Sequence, residues 1–251
     1  MGDLANSFLT WNWNDDTIAS LTSSLTIMFI MMVLAIIVFI ASRHYDPLKK
    51  PHGIVGLFEI GVETFDKLVA DLMGPRFKGF GGYIFAIAMY LFLSFIWGLT
   101  GLPAPITNLA IPLSLGISTF ILIHATAVRF NKFKYFKRYI EPFAVFLPIN
   151  LLSMWAPLLS LTFRLFGNAL AGWTLMSVVY YACEIASQAI FSFLPAGFNT
   201  LFIAPFITPL LHAYFDLFSA VIQTTIFIML TMMFVSNEQP DEEEMKEKLA
   251  V

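Results

Sequence analysis

From Tyr139 to Met245 the chain carries a single cationic side chain, Arg164, in a stretch that is otherwise almost wholly apolar. A guanidinium stays protonated at any physiological pH, so it does not escape a low-dielectric site by neutralising itself. Apolar runs of this length belong to helices that cross a membrane, and a fixed charge inside them is costly enough to need a reason. The composition agrees. With 58% hydrophobic and 12% charged residues, the chain has about half the charge of an average soluble domain.

Several function classes are excluded at this level. The net charge of −3 comes from acidic residues near the two ends, so no basic surface for nucleic acid is implied. Cys183 is the one cysteine, which rules out an internal disulfide and a cysteine-based zinc site. The chain contains no GxxxxGK[ST], no HExxH and no GxGxxG. It is therefore expected to bind no nucleotide, cofactor or metal of its own. The segment Asn6 to Thr17 is polar and aromatic and lacks the Lys/Arg region of a signal peptide, so the apolar run after it is expected to remain as an anchor.

Residues 18–41 are free of charge and long enough to cross a hydrocarbon core of ~30 Å. Arg43, His44, Lys49 and Lys50 follow, which assigns that end to the cytoplasm and residues 1–17 to the outside. Residues 53–73 differ. Ile54, Leu57, Phe58, Val62, Phe65, Leu68, Val69 and Leu72 recur with helical spacing among Glu59, Glu63, Asp66, Lys67 and Asp71, the pattern of a helix lying on the cytoplasmic membrane surface. Residues 82–101 and 109–128 are a second and a third span, joined by the uncharged turn LPAPITN. Arg129, Lys132, Lys134, Lys137 and Arg138 place the next loop in the cytoplasm.

The regions 142–184 and 195–236 are each about forty residues, or ~60 Å as one helix, twice what a perpendicular crossing needs. Either each is one long helix, or each is two spans and Arg164 snorkels from a turn. The two-span reading would put Ile185 to Thr200 in the cytoplasm, yet that stretch has no Lys or Arg. Charge therefore favours single long helices, with Pro148 and Pro157 as kinks or local breaks. Residues 237–251 read as a solvated cytoplasmic tail. The expected fold is a single all-α integral membrane domain: five transmembrane helices plus one amphipathic surface helix, with the last two spans forming a long hairpin.

Ser160, Arg164, Asn168 and Gly172 succeed one another at i+4, a polar and small-residue stripe on an apolar helix. His212, Asp216, Ala220 and Gln223 form a second stripe on the final helix, and if the two face each other Gln223 or Asp216 can meet Arg164. Ordinary roles stand beside the functional one. Arg164 and Asp216 could be a static ion pair; Glu184 could be interfacial; His124 and His212 could be packing residues; Asn168 and Gln223 could be plain interhelical hydrogen-bonders. A secondary transporter would use Arg164 and Asp216 to hold its substrate, but such folds usually carry internal repeats and none is present.

The segment LTFRLFGNALAG, residues 161–172, resembles subunit a of F-type ATP synthases, in which an Arg followed by LFGN marks the penultimate membrane helix. Gln223 in IQTTIFIMLT, DPLKKP before the surface helix and PITN before the third span extend the likeness over nearly the whole chain. The resemblance implies a non-catalytic, multi-pass subunit of a bacterial plasma (inner) membrane. Its implied partners are a ring of c subunits, b-type peripheral-stalk subunits, the lipid bilayer and, indirectly, F1. It further implies that the last two helices form a steeply tilted hairpin against the ring, with Arg164 separating two proton half-channels and Asn168 and Gln223 beside it. Asp216, seven residues before the Gln, falls where family members place an acid or a His of the proton path. Five residues after Asn168 many bacterial members carry a Glu, and this chain has Trp173. The resemblance then leaves His212 or Glu184 to supply the missing relay group.

Overall fold

The structure, a computed structural model, describes residues 15–43, 53–77, 79–132, 135, 147–193 and 202–239. Among them the chain is helical apart from short turns, with no strand. The helices are α1 (Asp15–Arg43), α2 (Gly53–Met73), α3 (Gly81–Ile96), α4 (Ala110–Asn131), α5 (Leu147–Ile190), α6 (Ala204–His212) and α7 (Ser219–Ser236). A π-helical stretch, Ala213–Phe218, joins α6 to α7. Counting α6 to α7 as one, five helices are long and apolar enough to cross a membrane, and α2 is not among them. This is the all-α membrane architecture expected from the hydropathy pattern.

The large apolar side chains explain why such a chain needs lipid. On α1, Leu25, Phe29 and Phe39 are 66%, 60% and 61% exposed, and so much apolar surface on a soluble protein would drive aggregation. Each helix satisfies its own backbone, which is the condition for standing in hydrocarbon. The described residues of the two forty-residue runs form one candidate span each. α5 extends through 44 residues, about 65 Å at helical rise, and Pro157 sits inside it without breaking it.

Span ends differ from the hydropathy boundaries for local reasons. The second span tightens into a 3₁₀ turn, Trp97–Thr100, and closes at Gly101, whose φ of 78° and N–H to the Gly98 carbonyl make a left-handed stop. The third continues past Val128 to Asn131, taking Arg129 into its last turn, where a cation complements the helix dipole. The penultimate helix runs beyond Glu184 to Ile190. The expected starts at residues 142 and 195, the outside segment 1–14 and the tail from 240 onward lie outside the described residues.

The chain divides into two compact units. The first comprises Met1–Met32, Tyr90–Leu109 and Arg164–Thr224; the second comprises Val33–Met89, Ala110–Phe163 and Thr225–Val251. The first is packed around Ile27, Leu91, Phe95, Ile106, Leu165 and Ala220. In the second, α2 docks on α3 through rings: Phe58 and Phe65 both pack on Phe85, with centroids 6.0 and 5.4 Å apart. Gly61, between them, leaves the room that Phe85 fills. The outward face of α2 keeps Leu57 and Ile60 exposed. On the same helix Lys67 Nζ donates to Glu63 Oε1 at 2.7 Å, and that cation holds the Glu63 carboxyl below its ordinary range.

Candidate functional site

The first unit holds most of the polar side chains singled out in the sequence. There α5 and α6–α7 run antiparallel. Tyr180 meets His212, Ser187 Oγ accepts the Phe202 N–H, and Phe191 stacks on Phe202. Gly172 lies opposite Phe215, where an added Cβ would stand 3.8 Å from the Phe215 Cβ. Arg164 lies eight residues before Gly172 and Gln223 eight residues after Phe215, so in an antiparallel pair the two stand level to within about a turn. Both are half-buried, as is Asn168. The Gln223 Oε1 is buried and has no hydrogen-bond partner among the described residues.

Asp216 is placed by the π stretch, whose wider turn shifts the residues it carries relative to an α-helix. Its Oδ2 lies 2.5 Å from His212 Nδ1, one turn earlier. The other ring nitrogen, Nε2, is 2.9 Å from the Tyr180 hydroxyl on α5. A phenol, an imidazole and a carboxylate are thus joined in series across two helices. Every link is a group that gives or takes a proton, and an imidazole bonded at both nitrogens passes a proton through its ring by taking one on one side and releasing one on the other. His212 and Asp216 remain partly accessible, with side chains 28% and 21% exposed.

The other candidates are arranged differently. Glu184 is exposed and accepts a hydrogen bond from Gln188 Nε2 at 3.3 Å on its own helix. Trp173, at the position where the resemblance expects a Glu, is 54% exposed. His124, in the second unit, packs its ring at a tilt against Phe120 and bonds that residue's carbonyl through Nδ1 at 2.8 Å. Its Nε2 is buried and lines a cavity of about 260 Å³ with Tyr135, Asn150, Ser153 and Glu238. Tyr180 was not among the sequence candidates. It lies two turns beyond Gly172 on the same i+4 stripe, so extending the stripe past the glycine finds it.

The matching stretch of known sequence spans the candidate side chains from His124 to Gln223. Residues 24–236 match the family model described as ATP synthase A chain. The chain belongs to the ATP synthase subunit a family. ATP synthase subunit a of Mycoplasma genitalium is 32% identical over 218 residues, which cover 81% of this chain and 74% of that one. Its counterpart from Mycoplasma pneumoniae is 29% identical over 216 residues, 82% of this chain and 73% of the relative. A subunit a named as sodium ion specific, from Propionigenium modestum, is 28% identical over 232 residues, 86% of this chain and 73% of its own length. Membership makes this chain a membrane component of an ATP synthase rather than a self-contained enzyme, and the five apolar spans make it multi-pass. Within a subunit a, the series Tyr180, His212, Asp216 and the level pair Arg164 and Gln223 are the polar features of the last two spans that need a role.

Proposed function

We propose that the chain is the stator channel of a bacterial F-type ATP synthase, admitting protons by one half-channel and releasing them by another, with Arg164 between the two. The observation that carries this reading is the hydrogen-bonded series Tyr180, His212, Asp216 within two apolar membrane helices. In hydrocarbon such groups are expensive, at roughly 2.5 to 3.5 kcal/mol for an Asp at mid-helix. A purely structural seam could be built from serines and threonines.

A proton entering from outside is taken by this series and delivered to a carboxylate on a c subunit of the ring. Once protonated, that carboxyl is neutral and can face lipid; ionised, it cannot, so rotation is gated by protonation. After nearly a full turn the carboxyl meets Arg164, whose fixed charge favours the ionised form, and the proton leaves to the cytoplasm. The same charge repels a proton trying to pass directly between the half-channels. Gln223 and Asn168 bracket the arginine and offer neutral hydrogen bonds to the passing carboxyl. Asp216 must remain free to exchange its proton, and bonding to His212 rather than a permanent ion pair with Arg164 suits that role. The driving force is roughly 2.3 kcal/mol per charge per 100 mV. The proposed partners are the c ring, b-type stalk subunits and, through them, F1.

A sodium-specific relative raises the question of the coupling ion. The His212 link favours H⁺, because an imidazole bonded at both nitrogens passes protons, whereas Na⁺ requires a path lined by oxygen atoms. ATP-driven acidification of liposomes carrying the reassembled complex in Na⁺-poor buffer tests the reading. Arg164→Ala should abolish it with assembly intact, and pumping that persists in Arg164→Ala would overturn the proposal.

A further inference from the structure

The second unit holds a cavity of about 260 Å³ where the last turns of α4 and the end of α7 meet the beginning of α5. His124 stands at its buried end, and its ring is held from several sides. Nδ1 is 2.8 Å from the Phe120 carbonyl, the Phe120 ring packs against it at a tilt, and Tyr135 meets it edge-on with centroids 5.9 Å apart. A carbonyl oxygen only accepts, so Nδ1 carries the proton, and in the neutral ring Nε2 is left with a lone pair. That nitrogen is buried and has no hydrogen-bond partner among the described residues. Buried polar atoms of native proteins are nearly always satisfied, so the lone pair calls for something that enters the cavity.

The rest of the lining defines its chemistry. Ser153 Oγ donates to the Ile149 carbonyl at 3.0 Å, which uses its one proton and leaves only lone pairs for the cavity. Glu238, just after α7, adds a carboxylate, which accepts and carries negative charge. Three acceptors, with no Lys or Arg among the described lining residues, suit a positively charged donor. Ile123, Met154 and Phe234 supply apolar wall. A metal ion is the poorer match. One His and one Glu fall short of the three protein ligands that zinc usually takes, and no group of three or more His, Cys, Asp or Glu able to hold a metal occurs among the described residues. Size also favours an organic cation, because the volume equals that of about eight waters at ~30 Å³ each.

We propose that this cavity binds a small primary alkylammonium cation. Such a group has three N–H donors, one each for His124 Nε2, Ser153 Oγ and the Glu238 carboxylate, while its hydrocarbon lies against Ile123, Met154 and Phe234. The ligand touches α4, α5 and the end of α7 at once, and so ties the three together. Pro157, also in the lining, is seven residues before Arg164 on the unbroken α5, about two turns. The occupant therefore bears on the stretch of helix that leads to the arginine. Binding forms no covalent bond, and it does not rest on the channel reading, whose proton path uses none of these residues.

The test is ligand-observed saturation-transfer NMR on the assembled complex in detergent. Benzylammonium is the probe, chosen for a size that matches the cavity and for its three N–H donors. Benzyl alcohol, of the same shape but neutral, is the comparison. Benzylammonium should bind saturably with a Kd on the order of 1 mM, ordinary for so small a ligand, and benzyl alcohol roughly tenfold more weakly or worse. Glu238→Gln keeps the side-chain shape and removes the charge; His124→Phe keeps a ring and removes the lone pair. Each should weaken benzylammonium roughly tenfold. Where His124→Phe does not assemble, Met154→Trp, which fills the apolar part of the cavity, takes its place and should abolish saturable binding. Benzyl alcohol binding as tightly as benzylammonium would overturn the site, and so would benzylammonium affinity unchanged in either variant. Neither result touches the channel reading, which stands or falls with Arg164→Ala.

Discussion

Gly116 on α4 and Gly172 on α5 are both helix-interior glycines at which another helix comes close, but the room left at each differs. At Gly116 a Cβ would fall on Thr162 Oγ1 and lie 3.0 Å from Leu158 Cδ1. Thr162 is 2% exposed, so it has little space to retreat. At Gly172 the nearest atom, Phe215 Cβ, is at an ordinary 3.8 Å. Gly116→Ala should therefore separate α4 from α5 and cost ~1–3 kcal/mol, the usual penalty of overpacking. Gly172→Ala should be neutral or stabilising by up to ~1 kcal/mol, since alanine is the better helix former. Thermal midpoints of the two variants in detergent check this, and equal losses at both sites would contradict it. The residues of the proposed relay should behave oppositely. Tyr180→Phe and Asp216→Asn keep their volume, so they should leave the midpoint nearly unchanged while slowing proton flux.

At the scale of elements, α2 is held by the end of α7 and the residues just after it. Gln239 Nε2 donates to the Met73 carbonyl at 2.9 Å, and Ser236 Oγ to the Leu72 carbonyl at 3.4 Å. The final carbonyls of α2 have no partners within their own helix, and Gly74, with φ of 83°, turns the chain so that a side chain from elsewhere reaches them. Gln239→Ala should loosen that end, raising amide exchange from Ala70 to Gly74 roughly fivefold, the effect of one lost hydrogen bond. Unchanged exchange there would show that the ring contacts to Phe85 alone hold α2. The amphipathic period of α2 was legible because charges every turn mark a helix that leaves the hydrocarbon. Arg164, Asp216 and Gln223 were legible because ionic and amide groups stand out in an apolar run. The π stretch was not, because its residues AYFDLF have the composition of any membrane helix and its wider turn follows from packing. Tyr180 was hidden for a related reason: tyrosines are common in membrane helices, and the hydrogen bond to His212 is what singles this one out.

At the scale of the whole molecule, the proposed topology counts five crossings, starting from outside. Arg43 closes α1 and Arg129 closes α4, two cationic ends separated by two crossings, so both belong to the same side. The connection from Trp97 to Leu109 carries no charge, as an outside connection is free to do. The order of the site follows from this polarity. On α5 the chain passes Arg164 before Tyr180 on its way outward, and on the return it passes His212 and Asp216 before Gln223. In the proposed topology the series Tyr180, His212, Asp216 would face the outside supply, with Arg164 deeper, toward the cytoplasmic exit. A fluorescent protein fused after Val251 should fold and fluoresce in the cytoplasm. Alkaline phosphatase fused there should be inactive, and inserted at Pro103 it should be active. The reverse pattern would put the series on the cytoplasmic side, where it would unload the ring rather than load it.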